Sequence, residues 1–245
     1  MRKLFVCLCL LFGVIGVYGQ SFEKDQHRHK RVKKAKKEKR DLLKATFQEK
    51  GLNYENFTNV YLRAFKTERT LEVWVQGDFG QTYQLLKTYE FCTSSGFLGP
   101  KRKRGDLQIP EGFYFISRFN PTSNYHLSLG VNYPNPSDSQ LSEHDNLGGD
   151  IYIHGACKSI GCISITDDKI KELYLLAVKA KNNGQRNIPI HIFPNKFDFN
   201  PISFDGYDND LVSFWQNIEG GYYYFEIHKR PPLVHIHEDG TYEFF

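Results

Sequence analysis

A mainly β domain with peripheral helices is the fold class this sequence predicts, and three observations point to it. Six runs rich in β-branched and aromatic residues lie between clusters of Gly, Pro and Asn. A strong helical periodicity occurs mainly at one place, after residue 165. The 20 Phe and 15 Tyr supply enough large apolar surface for a packed core and exclude a disordered chain. The 245 residues suit one generous domain or two small ones.

From the N-terminus, Arg2 and Lys3 precede an unbroken apolar run from Leu4 to Val17, followed by Tyr18, Gly19 and Gln20. This pattern predicts a secretory signal peptide over residues 1–19, because the run falls short of the roughly 18 to 20 apolar residues of a spanning helix. Cys7 and Cys9 lie inside the run, which excludes a lipoprotein cleavage site. Residues 20–40 carry a net charge of +7, and with +2 in the leader this leaves −5 for the remainder of a chain whose total is +4. A basic segment is thus joined to an acidic domain. Both a solvated linker and a tether to an anionic envelope surface fit residues 20–40. Nucleic acid is not an expected partner of an exported chain. The boundary is placed near Asp41, with one domain over 41–245.

A short amphipathic segment from Leu42 to Lys50 ends at Gly51. Strand signals follow. Leu71, Val73 and Val75 alternate with Glu72 and Trp74, and the segments 83–91, 113–119, 125–131, 151–153 and 188–193 have the same β-rich character. The helix after Cys162 is predicted from Thr166 as cap, Asp167 and Asp168 at its positive end, and Ile170, Leu173, Tyr174 and Ala177 at helical spacing. Gly184 is its expected stop.

Beyond the leader three cysteines remain, Cys92, Cys157 and Cys162. An odd number in an exported protein leaves at least one thiol unpaired. Ile151-Tyr152-Ile153-His154 forms an apolar strand before a compact loop, and Gly161-Cys162-Ile163-Ser164 leads into the helix. A His and a Cys are thereby held on the two sides of one loop. A thiol needs a nearby base or positive field to become a nucleophile, and imidazole titrates in the range that can take its proton. Gly161 is expected to let the backbone approach closely, so that main-chain N–H groups hold a tetrahedral oxyanion. The combination describes acyl transfer through a thioester. His154, Cys157 and Cys162 are also three zinc-type ligands, but their spacing matches no common structural site. His235 and His237 are expected on one face of a strand and are not assigned a site. No metal or other cofactor is called for.

The pattern His-Gly-x-x-x-Ser-x-Gly-Cys from His154 to Cys162, with a Thr-Asp helix start four residues later, resembles the L,D-transpeptidase family, the YkuD-type catalytic domain. Gly99-Pro100-Lys101, Arg104-Gly105-Asp106, the segment 109–114 and the segment 125–129 resemble that family's preceding strands and substrate loop, in order. The resemblance implies a β-sandwich or barrel fold and an enzyme acting on peptidoglycan stem peptides. It implies Cys162 as nucleophile, His154 as base, Ser159 as the loop hydroxyl and Gly161 as the oxyanion-side glycine, with Lys101 and Arg104 as substrate contacts. Cys157 then becomes a packing residue or a redox partner of Cys162, and Cys92 a packing residue. The commoner family loop is longer and has a second His directly before its Gly-Cys pair, where this chain has Ile160. This is similar to a branch that includes an amidase releasing lipoprotein from murein. Transfer to an amine, hydrolysis, and peptidoglycan binding without catalysis are the three functions carried forward.

Overall fold

The computed structural model describes residues 22–78, 80–197 and 205–245. The leader over 1–19, with Cys7 and Cys9, lies outside the described residues. In chain order the elements are helix α1 (Lys30–Glu49), strands β1 (Asn59–Phe65), β2 (Thr70–Gln76), β3 (Gln84–Glu90), β4 (Gly112–Asn120) and β5 (Ser128–Val131), and helix α2 (Pro136–Gln140). Then come β6 (Tyr152–His154), β7 (Ile163–Ser164), α3 (Thr166–Asn182), β8 (Pro189–Phe193), α4 (Asn209–His228), β9 (Val234–Ile236) and β10 (Tyr242–Phe244).

Eight strands form one curled, half-barrel sheet in the order β3-β2-β1-β8-β4-β5-β6-β7, and β9 and β10 pair separately. Most neighbours are antiparallel, while β1 with β8 and β6 with β7 are parallel. The parallel β6–β7 pair needs a crossover, and the loop between them is the one that carries the His and Cys pattern. The main core sets one sheet face against α1 and α3, through residues such as Val32, Leu43, Phe47, Ile170 and Leu173. Phe214, Trp215, Ile218 and Tyr222 of α4 cover Phe65, Phe113 and Phe193 in a second cluster.

The six predicted strands correspond to β2 to β6 and β8, with shifted ends. The segment 125–131 becomes strand only from Ser128, because His126 has a left-handed φ of 71°. In α3 the predicted face Ile170, Leu173, Tyr174 and Ala177 is buried, and Asp167 and Asp168 occupy its first turn. Thr166 is not the cap: Ile165 holds that position without a side-chain capping bond. The chain turns into this helix through Thr166 at φ 74°, and Thr166 Oγ1 accepts from the Lys169 amide only at 3.5 Å.

The basic segment is the largest correction. From Lys30 it is helix, continuous with the predicted amphipathic turn, so the boundary at Asp41 falls inside α1. Val32, Ala35 and Lys39 are buried along with Leu43 and Phe47. The Lys39 ammonium meets Asp168 at 2.5 Å and Glu172 at 3.3 Å on α3. Val32, Ala35, Lys39 and Leu43 follow a spacing of three or four, so a narrow apolar stripe lies under the charges. Among the described residues no helix is long and apolar enough to cross a membrane.

Candidate active site

β5, β6 and β7 place the candidate residues through their register. Tyr152 and His154 alternate with Ile153, so both point to one face of β6. In the parallel β6–β7 pair Ile153 faces Ile163 and His154 faces Ser164, which puts Cys162 beside Tyr152 on the same face as His154. Both His154 and Cys162 line a cavity of about 430 Å³, together with Asn120, Asn124, Tyr125 and Lys158. Cys162 is the free cysteine among the described residues and is half-buried. The loop that separates the two residues in sequence thus returns both to one wall.

His154 is only 2% exposed. Its Nδ1 is hydrogen-bonded to the carbonyl of Gly155, which makes Nδ1 the donor and leaves Nε2 as the acceptor. The orienting partner that the sequence left open is therefore a backbone carbonyl. The Tyr125 ring stacks on the imidazole at 4.7 Å. Burial depresses the His154 pKa below the ordinary imidazole value, partly offset by the Gly155 carbonyl. Burial likewise pushes the Cys162 thiol up, with the Asp150 charge adding to this and the Tyr152 backbone and Lys101 opposing it. The thiol points to the Asp150 carbonyl at 3.6 Å. Both shifts favour the neutral forms of the two side chains.

The loop is held by a segment that the sequence did not single out. Ser95 Oγ accepts the Gly161 amide at 2.8 Å, donates to the Leu107 carbonyl at 2.9 Å and lies 3.0 Å from Ser159 Oγ. Ser159 Oγ donates in turn to the Cys162 carbonyl at 2.7 Å. Ser159 is thus a brace of the Cys162 backbone. Gly161 adopts φ 121°, and a Cβ there would sit 2.9 Å from the Gln108 carbonyl, so glycine is required by conformation and by space. Its close approach is to Gln108, however, and its N–H is given to Ser95. The Gly161 amide is therefore engaged within the protein, and the close approach expected of this glycine is made to the Gln108 backbone.

Cys157 is neither a packing residue nor a partner of Cys162. It is disulfide-bonded to Cys92, with Cα atoms 5.2 Å apart. Next to that bridge the Cys92 amide donates to the Ser164 carbonyl at 2.7 Å, and Thr93 and Ser164 form an antiparallel bridge. Asp167 Oδ1 accepts the Ala156 amide at 2.8 Å, fixing the turn after His154. The sequence showed Asp167 only as a helix-start charge, and Ser95 carried no signal beyond a loop position.

Neither Lys101 nor Arg104 lines the cavity. Lys101 is 4% exposed, and its ammonium donates to Asp106 at 2.6 Å and to the Lys103 carbonyl at 2.9 Å. It closes its own loop and acts on Cys162 only through its field. Arg104 is exposed and its backbone packs at Gly148, outside the cavity. The basic residue that does line the cavity is Lys158, exposed on the loop between His154 and Cys162. Ile160 lines the rim with 77% of its surface exposed. Among the described residues no group of three or more His, Cys, Asp or Glu is placed to hold a metal ion.

Comparison with known proteins follows the same lines. The YkuD family, described as the L,D-transpeptidase catalytic domain, matches residues 59–192. YafK of Escherichia coli strain K12, whose designation as an L,D-transpeptidase is itself provisional, is 37% identical over 179 residues, 72% of this chain and 70% of that protein. Among solved structures, the helical cell shape determining protein Pgp2 from Campylobacter jejuni, as its K307A mutant, is 22% identical with a TM-score of 0.44, over 61% of this chain and 53% of that chain. This chain therefore spans about half the length of that protein. Bd1075 of Bdellovibrio bacteriovorus is 25% identical with a TM-score of 0.42, over 71% of this chain and 61% of that one. On the family match and the 37% identity, the chain belongs to the YkuD-type L,D-transpeptidase family.

Proposed function

We propose that this protein is an exported cysteine acyltransferase that remodels peptidoglycan stem peptides through a thioester on Cys162. The observation that carries the reading is the shared cavity of Cys162 and His154, with His154 Nδ1 engaged by Gly155 so that Nε2 is the free acceptor. His154 Nε2 takes the thiol proton as Cys162 Sγ attacks the peptide carbonyl carbon. The tetrahedral intermediate collapses with loss of an amine, which leaves with the proton from His154. An acceptor amine then attacks the thioester, gives its proton to His154, and the thiolate leaves and is reprotonated. The main-chain amide of Tyr152 already bonds the Cys162 sulfur, and with the amide of Cys162 itself it is our candidate donor to the developing oxyanion. The exposed Lys158 suits a stem-peptide carboxylate better than Lys101 or Arg104 does.

Export rests on the leader pattern over residues 1–19. The outer face of α1 presents Lys30, Lys33 and Lys37, all exposed, and this supports contact with an anionic envelope surface. That face belongs to a packed helix and not to a loose tether.

The deciding experiment incubates the protein with tetrapeptide muropeptides, with and without a diamino-acid acceptor, and weighs the products by mass spectrometry. A joined product that requires acceptor and is absent with Cys162→Ala supports transfer. Shortened peptides alone, or release of a lipoprotein-derived residue from a stem peptide, would replace transfer by hydrolysis. No covalent chemistry at Cys162 in either arm would leave a binding module.

A further inference from the structure

Ser128 stands directly opposite His154 in the antiparallel β5–β6 ladder. The Gly155 amide donates to Leu127 and the Val131 amide to Ile151, so these pairs are the hydrogen-bonded ones. Ser128 and His154 then form a pair without mutual backbone bonds, the kind whose Cα atoms approach to about 4.5 Å and whose side chains come closest. The two side chains share one face of the sheet, and both line the cavity that holds Cys162.

Ser128 is 1% exposed, and its Oγ is buried without a hydrogen-bond partner. Other hydroxyls around the site are engaged: Ser95 with Leu107, Ser159 with Cys162, and Ser164 with Thr93. Among the described residues lining the cavity, Ser128 alone carries a buried side-chain oxygen that nothing satisfies. Burying a hydroxyl without a partner costs free energy that Ala at this position would avoid.

We propose that Ser128 is a substrate-contacting residue whose hydroxyl bonds a main-chain amide or carboxylate of the peptide acyl donor, next to His154. This rests on the reading of the cavity as the stem-peptide site. A serine hydroxyl both donates and accepts, so it matches either group of a peptide backbone. Its place in β5, paired with His154 of β6, fixes the contact relative to the imidazole.

The test uses the full mature chain. Affinity for a tetrapeptide muropeptide is measured by calorimetry in Cys162→Ala, with and without Ser128→Ala, and the melting temperature of each variant is recorded. Ser128→Ala is expected to weaken binding about 3- to 10-fold, the usual worth of one net hydrogen bond. It is expected to leave the melting temperature unchanged or higher, since no protein group loses a partner. In the otherwise native chain KM should rise more than kcat falls. Equal affinity with and without the hydroxyl overturns the proposal, as does a clear fall in melting temperature, which would mean a partner inside the protein. If folded Cys162→Ala binds no stem peptide at all, the reading of the cavity fails, and this inference with it.

Discussion

At the scale of single residues, burial favours the neutral forms of both His154 and Cys162. Because burial holds His154 below the usual imidazole range, its neutral form persists to lower pH than that of a free histidine. Activity that needs neutral His154 is therefore full at pH 7 and is lost as pH falls through a midpoint below 6.5, the reference imidazole value. A pH profile of kcat/KM measures that limb, and a midpoint above 6.5 would contradict the assignment. His154→Ala should lower the rate by about 100-fold or more and remove the limb. The raised thiol has its own consequence. Iodoacetamide should label Cys162 more slowly at neutral pH than an unhindered cysteine, with a rate that climbs at higher pH than that of an ordinary thiol. At the cavity rim, Lys158→Gln is expected to raise KM several-fold for carboxylate-bearing peptides while kcat changes little.

Elements matter because the loop from His154 to Cys162 is braced from outside itself. The disulfide closes a separation of 65 residues. A loop of that size corresponds to roughly 4 kcal/mol of lost chain entropy in the unfolded state. Cys157→Ala should thus reduce stability, and Cys92→Ala by a similar amount, with no further loss in the double variant. Denaturation with and without reductant checks this, and reductant should affect only the native chain. On the far side of the same region Glu111 is fully buried and accepts from Lys66 at 2.8 Å, the Gly99 amide at 2.8 Å and Trp215 Nε1 at 2.7 Å. These bonds fix the segment 99–111, whose Gln108 carbonyl lies against Gly161. Removing one partner of a buried pair costs about 3 to 5 kcal/mol, so Glu111→Ala should be among the most damaging substitutions in the chain. Helix α1 is a third brace. Arg31 reaches the carbonyls of Ser123 and His126, the second at 2.7 Å, on either side of Tyr125, the ring stacked on His154. Deleting residues 20–40 should therefore impair catalysis as well as stability, contrary to what a linker would do. Charge-neutral replacement of Lys30, Lys33 and Lys37 is the cleaner probe of envelope binding. It should weaken retention on anionic envelopes, more at low salt than at high.

For the whole molecule, acid stability follows from buried histidines. His191 is 2% exposed, bonds Tyr61 Oη at 2.7 Å through Nδ1, and is held well below the imidazole range by burial and by the Arg63 charge. His154 and His126 are shifted in the same direction, each chiefly by burial. The unfolded chain takes up these protons at a pH near 6.5, before the folded chain does, so stability is kept above that pH and lost below it. Each such group contributes up to about 1.4 kcal/mol per pH unit. Asp138, pushed up to about 6 by burial, works the other way, because the folded state takes its proton first. With His27, also lowered chiefly by burial, four histidines stand against one carboxyl and give a net loss between pH 6.5 and 5. Chemical denaturation across that range should show it, and His191→Asn should flatten the slope.

The pattern from His154 to Cys162 was legible in the sequence because it is local. A strand, a loop with its glycine and a helix start fall within residues 151–168, and periodicity marks each of them. The apolar face of α3 and the other five predicted strands followed for the same reason. Some elements escaped local reading. β1 is buried almost throughout, so it shows no alternation, and Arg63 lies inside it at 1% exposure beside Glu226 and the Tyr222 ring. α4 contains Gly220 and Gly221, poor helix formers, because a Cβ at 221 would strike Phe113. The charges of residues 30–40 hid a narrow buried stripe whose partner, α3, is more than 120 positions away. The pairing of Cys92 with Cys157, the use of the Gly161 amide by Ser95, the inward turn of Lys101 and the unsatisfied Ser128 depend on what stands opposite each residue. Spacing along the chain fixes which residues share a face, whereas their partners are set by the order of strands across the sheet, and only the folded structure decides that.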